Sequence, residues 1–214
     1  TCALPICSGN VAIYAAEKAT MLGAKVIAMS DSSGYIIDEN GINLDVMKEI
    51  KEVRRGRISE YAKSVKGSVF HKDGRIWNTP CDIALPCATQ NELNKEDAET
   101  LIKNGVIAVC EGANMPTTPD AIDVLMQNHI LFAPGKASNA GGVATSALEM
   151  SQNSLRLSWT AEEVDARLKD IMENIYKTVS ETAKEYDAPD NFMVGANIAG
   201  FIKVADSMIE QGIV

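Results

Sequence analysis

The chain is short of histidine, short of aromatic residues and has no excess of positive charge, and each shortage narrows what it can do. Its two histidines, His71 and His129, and its five cysteines show no metal-ligand spacing, so no metal site is expected. Lysine and arginine number 20 against 29 aspartates and glutamates, a formal charge of -9, and the cations form no long runs. Phosphate backbones are held by basic surface, so nucleic acid is not an expected partner. No apolar run of roughly 18 residues is apparent, and no charged start leads into an apolar core, so neither a membrane span nor a secretory signal is expected and a cytoplasmic location follows. Cys2, Cys7, Cys81, Cys87 and Cys110 are odd in number and form no CxxC pair, as reduced thiols would.

What is present is the patterning of an ordinary folded protein. Within 214 residues, 46% of them apolar, short apolar strands alternate with amphipathic helices over the first two-thirds. A helix is predicted over Val11 to Leu22 and a buried strand over Ala24 to Met29. Leu44 to Lys63 reads as helix with a break near Gly56, and Val69 to Trp77 as a β excursion turning at Lys72-Asp73-Gly74. Strand Ile83 to Leu85, helix Lys95 to Asn104, strand Val106 to Val109, helix Pro119 to Asn128 and strand Ile130 to Phe132 follow. Strands this short and this apolar suit a parallel sheet covered on both faces. The fold class is therefore α/β, a Rossmann-like, mostly parallel sheet with helices on both faces. After Ser146 only helices are expected: one opened by a capping box of Thr160 and Glu163, and a last one from about Asn191 to Gln211. No repeat or linker marks a second independent domain.

Three polar loops follow apolar strands: Pro86 to Glu92, Glu111 to Thr118, and Ala133 to Ser146 with its Asn139-Ala140-Gly141-Gly142 turn. In α/β folds ligands bind where such loops meet helix starts. At the amino end Ser8-Gly9-Asn10-Val11-Ala12 opens a helix, and Asp31 follows the second strand about twenty residues on, the layout of a dinucleotide fingerprint. Cys7 occupies the fingerprint's first glycine position, so taken alone the motif fits a helix cap as well as a cofactor turn.

Taken in series, Ser8 to Ala12, Ser30 to Gly34, Ile83 to Leu93, Glu111 to Thr118, Pro134 to Ser146, Glu149 to Asn153 and Gly195 to Phe201 resemble the hexameric glutamate dehydrogenases, from about Ser8 to Val214. The resemblance implies a coenzyme-binding domain for reversible reductive amination of 2-oxoglutarate to L-glutamate with ammonia. It assigns cofactor contacts to Ser8, Gly9, Asn10, Val11, Asp31, Ser32, Ala88, Thr89, Gln90, Asn91, Asn114 and Asn139. Val143 and Ser146 are implied beside the substrate's side-chain carboxylate, with Ser146 expected on a first helical turn where free N–H groups would assist. The family's catalytic lysine and aspartate have no counterpart here and are expected upstream, so the chain is expected to bind rather than catalyse and no catalytic residue is assigned in it.

Cofactor choice is argued from two sides. Asp31 alone favours NAD through the adenosine ribose. Ser32, with Lys51, Arg54 and Arg57 at helical spacing, favours NADP by converging on its 2′-phosphate, and resembles the NADP-dependent branch, so NADP is expected with NAD as the alternative. Thr1 to Cys7 departs from the family pattern. Pro5 is expected to interrupt a strand there, leaving a phosphate turn that is incomplete or a junction that is not native. A homohexamer is expected of the complete protein. Two other readings stay open, an apolar amino-acid dehydrogenase of the same superfamily and a nucleotide-binding module without catalysis.

Overall fold

Short apolar runs bury both faces only when strands stack side by side, and five of them do so here. In a computed structural model describing residues 1–212, β1 (Cys2–Ile6), β2 (Lys25–Val26), β6 (Ile83–Pro86), β7 (Ala108–Cys110) and β8 (Leu131–Ala133) form one sheet in the order β2-β1-β6-β7-β8. The pairings of β1 with β2, β1 with β6 and β6 with β7 are parallel. Helices α1 (Asn10–Met21), α4 (Lys95–Lys103) and α5 (Pro119–Gln127) connect them. Ala3, Ala12, Ile13, Ala16, Val26, Met29 and Met47 share one buried cluster, so the first strand and helix anchor the core.

The expected interruption at Pro5 does not occur. Pro5 lies in β1 in register with Leu85, inside a run that pairs from Ala3↔Ile83 to Ile6↔Pro86. A proline forfeits one ladder donor, and here strands flank β1 on both sides while Ala3 and Leu4 are fully buried. Cys7, just past the strand, takes a left-handed backbone with φ 116, a conformation that suits glycine and strains a side chain.

The single strand expected over residues 24–29 is two. After β2 the chain leaves the parallel sheet at Ile27, and β3 (Ala28–Asp31) turns through Ser32-Ser33 into β4 (Gly34–Ile37), antiparallel to it. The third strand of this small sheet is β5 (Val69–His71), paired with β4. The excursion over residues 69–77 is therefore half strand, because Ile76–Asn78 coils into a 3-10 turn that buries Ile76 and Trp77.

Between β4 and β5 the helix expected from Leu44 to Lys63 breaks as anticipated, though in a less regular way. Helix α2 (Leu44–Lys48) runs into a π turn over Glu49–Val53, in which the Arg54 N–H reaches back five residues to the Glu49 carbonyl at 3.0 Å. Arg55 is left-handed with φ 52, and after Gly56 the chain resumes as a 3-10 turn over Ile58–Glu60 and the single turn α3 (Tyr61–Ser64).

Residues Ala133–Val214 cluster apart from Thr1–Phe132, so the helical stretch is a compact unit in its own right that begins with the polar loop at Ala133 rather than after Ser146. It holds α6 (Gly135–Ser138), α7 (Ala140–Leu155), α8 (Ala161–Glu185) and α9 (Phe192–Gln211). The capping box is present, with the Thr160 N–H donating to Glu163 at 2.7 Å and the Glu163 N–H to the Thr160 hydroxyl at 3.3 Å. Helix α9 corrects the reading that no long apolar segment exists. Lys203 and Asp206 are too sparse to lower its mean hydropathy below 1.3, so by length and composition alone it is long and apolar enough to cross a bilayer. It packs along α8 through Gly195, whose Cα lies so close that an added Cβ would stand 2.2 Å from the Val179 carbonyl oxygen.

Candidate dinucleotide site

In a parallel sheet every strand delivers its following loop to the same edge. Here the ends of β1, β6 and β7 bring Ser8-Gly9-Asn10, Cys87 and Gly112 together. A Cβ on Gly112 would lie 2.5 Å from the Cys87 sulfur and 3.3 Å from Val11, so glycine is needed for the three loops to close on one another. Ser8 is 1% exposed and its hydroxyl has no hydrogen-bond partner among the described residues, while Gly9, whose own N–H donates to Cys7 Sγ at 3.3 Å, caps α1 with no side-chain bond to the first helical N–H groups. A buried donor left open beside the uncapped N–H groups of a twelve-residue helix fits an anion such as a pyrophosphate. These residues line a cavity of about 470 Å³ together with Ile13, Tyr14, Lys51, Glu52 and Arg55.

Asp31, at the end of β3, is fully engaged by the protein. One carboxylate oxygen accepts from the Ser33 N–H at 2.7 Å and the Ser33 hydroxyl at 2.5 Å. The other accepts from Lys51 Nζ at 3.0 Å and the Ile58 N–H at 2.9 Å. Burial pushes this carboxyl upward, but the bonds from Ser33, Ile58 and Lys51 outweigh it and hold the group below its ordinary value. Ser32, beside it, accepts from the Arg57 guanidinium at 2.7 Å. The structure thus gathers Ser32, Lys51 and Arg57 around Asp31.

Arg54 is not among them. The π turn and the left-handed Arg55 end the helical spacing that made the three cations appear to converge, and Arg54 turns to Glu60 at 2.7 Å and Glu49 at 3.7 Å. Arg55, to which the sequence drew no attention, lines the cavity instead. Its signal is conformational and invisible in the residue order.

The loops after β6 and β7 are stitched into one structure. The Asn91 N–H donates to the Met115 carbonyl at 3.0 Å, the Leu93 N–H to Pro116 at 2.9 Å and the Thr118 N–H to Leu93 at 3.0 Å. Asn91 and Met115 are both left-handed, with φ 56 and 49. Buried Glu111 accepts from the Thr117 N–H at 3.2 Å and closes the second loop. Ala88, Thr89, Gln90, Asn91 and Asn114 are exposed on these loops.

Glu92 closes the first loop and carries a titration near neutrality. Burial pushes its carboxyl up to about 7, against the downward pull of the Ala88 and Thr89 N–H groups and the charge of Arg75. A folded-state value above the unfolded one means that stability present below the unfolded pKa is lost as pH rises through the folded pKa. In Glu92→Gln the thermal midpoint relative to the parent protein should therefore climb between pH 4.5 and about 7 and level off above it. A difference that stays constant from pH 4 to 8 contradicts this assignment.

In the helical unit, Asn139 caps α7, and Val143 and Ser146 lie one and two turns further along the same face. Val143 is 71% exposed and Ser146 is exposed too. The expectation that Ser146 sits on a first helical turn is corrected: α7 begins at Ala140, so Gly141 and Gly142 are helical and Ser146 is the seventh residue of the helix. Free N–H groups and the helix dipole, which act within the first turn, give it no help. What remains is a hydroxyl on an open helical stripe with Asn139.

These features have counterparts among known proteins. Residues 7–212 match the model of the Glutamate/Leucine/Phenylalanine/Valine dehydrogenase family. The chain is 54% identical over 210 residues to a glutamate dehydrogenase of Bacteroides thetaiotaomicron, covering 97% of this chain and 47% of that protein. It is 55% identical over 210 residues to the NADP-specific glutamate dehydrogenase of Escherichia coli, covering 97% and 46%. A solved glutamate dehydrogenase of Plasmodium falciparum superposes with a TM-score of 0.96 at 46% identity, covering all of this chain and 46% of the other. The chain spans about half the length of the curated relatives it matches. With fold and sequence in agreement along nearly its whole length, the chain belongs to the Glutamate/Leucine/Phenylalanine/Valine dehydrogenase family.

Proposed function

We propose that the chain is the coenzyme-binding part of an NADP-dependent glutamate dehydrogenase that carries out reversible reductive amination of 2-oxoglutarate to L-glutamate with ammonia. The observation that carries the cofactor reading is the state of Asp31. With both oxygens taken by Ser33, Lys51 and Ile58, it has little capacity left to accept from a ribose diol, and its charge is matched by Lys51. The 2′-phosphate of NADP would instead meet the Ser32 hydroxyl and the Arg57 guanidinium. NAD remains the second reading because a relative from Xylanibacter ruminicola, 56% identical over 209 residues, is named NAD(P)-specific.

In this reading Ser8, Gly9, Asn10 and Val11 hold the pyrophosphate, and Ala88 to Asn91, with Asn114, hold the nicotinamide ribose. The nicotinamide, when bound, supplies or accepts the hydride. Proton transfer and amine chemistry belong to a lysine and an aspartate outside this chain. A cytoplasmic homohexamer is the assembly and location that go with this proposal.

Ser146, with Val143, selects the substrate by accommodating its distal carboxylate. Ser146→Ala in the complete enzyme should raise KM for 2-oxoglutarate and cost about 1.5–3 kcal/mol in kcat/KM, the range for a hydrogen bond to a charged group. Activity on 2-oxo acids with apolar side chains should fall less or rise. Equal losses on both, with cofactor affinity intact, would remove the carboxylate assignment and favour a dehydrogenase for apolar amino acids.

A further inference from the structure

Between β6 and α4 the chain makes an outward arc in which Ala88, Thr89, Gln90 and Asn91 are all exposed. Holding four exposed residues in one shape costs backbone entropy, so the arc needs ties. At its far end Asn91 and Leu93 are tied to Met115 and Pro116, and Arg75 donates to the Glu92 carbonyl at 2.8 Å and to Asp97 at 2.5 Å. At its near end the tie is the Glu92 carboxylate, which folds back under the arc and accepts from the Ala88 N–H at 2.9 Å and from the Thr89 N–H.

A carboxylate facing outward here would repel a dinucleotide's phosphates. Bound to two N–H groups and half-buried, it faces inward and acts as a strut. We propose that Glu92 is a positioning residue for the dinucleotide: by accepting the Ala88 and Thr89 N–H groups it turns them inward and presents the Ala88–Asn91 arc, with the Gln90 and Asn91 side chains, to the cofactor. The inference rests on the reading above that this arc contacts the cofactor. Glu92 itself touches the arc and not the dinucleotide.

The test is titration of NADPH, followed by its fluorescence, into the complete protein and its variants Glu92→Ala, Glu92→Gln, Glu92→Asp and Gln90→Ala, with thermal midpoints measured alongside. Glu92→Ala should weaken NADPH binding about tenfold or more, the equivalent of losing one or two hydrogen bonds. Glu92→Asp, one methylene short of Ala88, should weaken it similarly, so the proposal stays testable if the alanine variant fails to fold. Glu92→Gln keeps an acceptor oxygen and should stay within about threefold of the parent, a rescue that simple loss of packing does not produce. Parent-like binding by Glu92→Ala or Glu92→Asp, with Gln90→Ala impaired, overturns the strut. So does a glutamine variant as weak as the alanine one. If Gln90→Ala and the Glu92 variants all bind like the parent, the arc is not a cofactor surface and the underlying reading fails together with the strut.

Discussion

Replacing Gly195 by alanine will unfold or loosen the helical unit, with an expected loss of about 3 kcal/mol or more, at the upper end for overpacking a core. The added Cβ would stand 2.2 Å from the Val179 carbonyl oxygen and 3.1 Å from the Ala183 Cβ. Backbone cannot yield as the tip of a side chain can, so α9 would have to move off α8. The loss is large against the 5–15 kcal/mol that separates folded from unfolded domains. Gly200, on the same helix, has open space where a Cβ would go, and its alanine variant should be neutral or slightly stabilising, since alanine favours helix by about 1 kcal/mol over glycine. Thermal or urea unfolding of the two variants decides the point, and similar midpoints for both would show that the helices tolerate separation.

The second large effect is expected at the proposed 2′-phosphate cradle. Lys51 and Asp31 form a salt bridge at 3.0 Å with side chains only 17% and 8% exposed, so removing the cation strands a carboxylate with little access to water. In the complete enzyme, Lys51→Ala combined with Arg57→Ala should erode the preference for NADPH over NADH by roughly tenfold to a thousandfold. That is the range for losing the charge-assisted contact from Arg57 to a dianion while leaving it beside an Asp31 whose charge Lys51 no longer matches. Arg54→Ala should change the ratio by less than about threefold, because its guanidinium is already spent on Glu49 and Glu60. The ratio of kcat/KM values for the two cofactors is the measurement. An unchanged ratio in the double variant returns Asp31 to a ribose-binding role, and an Arg54 effect equal to that of Arg57 would refute the geometric distinction between them.

The contrast between Arg54 and Arg57 also shows where the residue order was legible and where it was not. The parallel strands, the helices between them and the long capped α8 follow from period and caps, which are local properties. The small antiparallel sheet does not. β3 continues an apolar run begun by β2, and the change of sheet at Ile27 depends on partners 10 and more residues away, as when the Asp38 N–H donates to Ile27. The grouping of Ser32 and Lys51 around Asp31 agrees with the spacing, whereas Arg54 turns away because a π turn interrupts the regular helix that the spacing assumed. Ser146 was recognised by motif and misjudged in position, since a pair of glycines suggests a turn yet here lies within α7. Pro5 was judged by its missing donor alone, without the strands on either side. Glu92 was visible only as one letter of a motif, because its bond back to Ala88 is one that no periodicity reports.

If Asp31 and its cations set cofactor choice as proposed, the π turn at Glu49–Val53 makes that choice sensitive to chain length as well as to residue identity. A π turn accommodates one residue more than an α turn, and each residue of an α-helix advances it by about 100° around the axis. Deleting a single residue between Lys48 and Lys51 would regularise the helix and swing the lysine roughly that far from Asp31. The aspartate would lose its counter-charge although every residue of the cradle was still encoded. Lineages of this fold could thus drift between the two nicotinamide cofactors by insertion and deletion, and a comparison that only checks for the presence of the lysine would overlook the change.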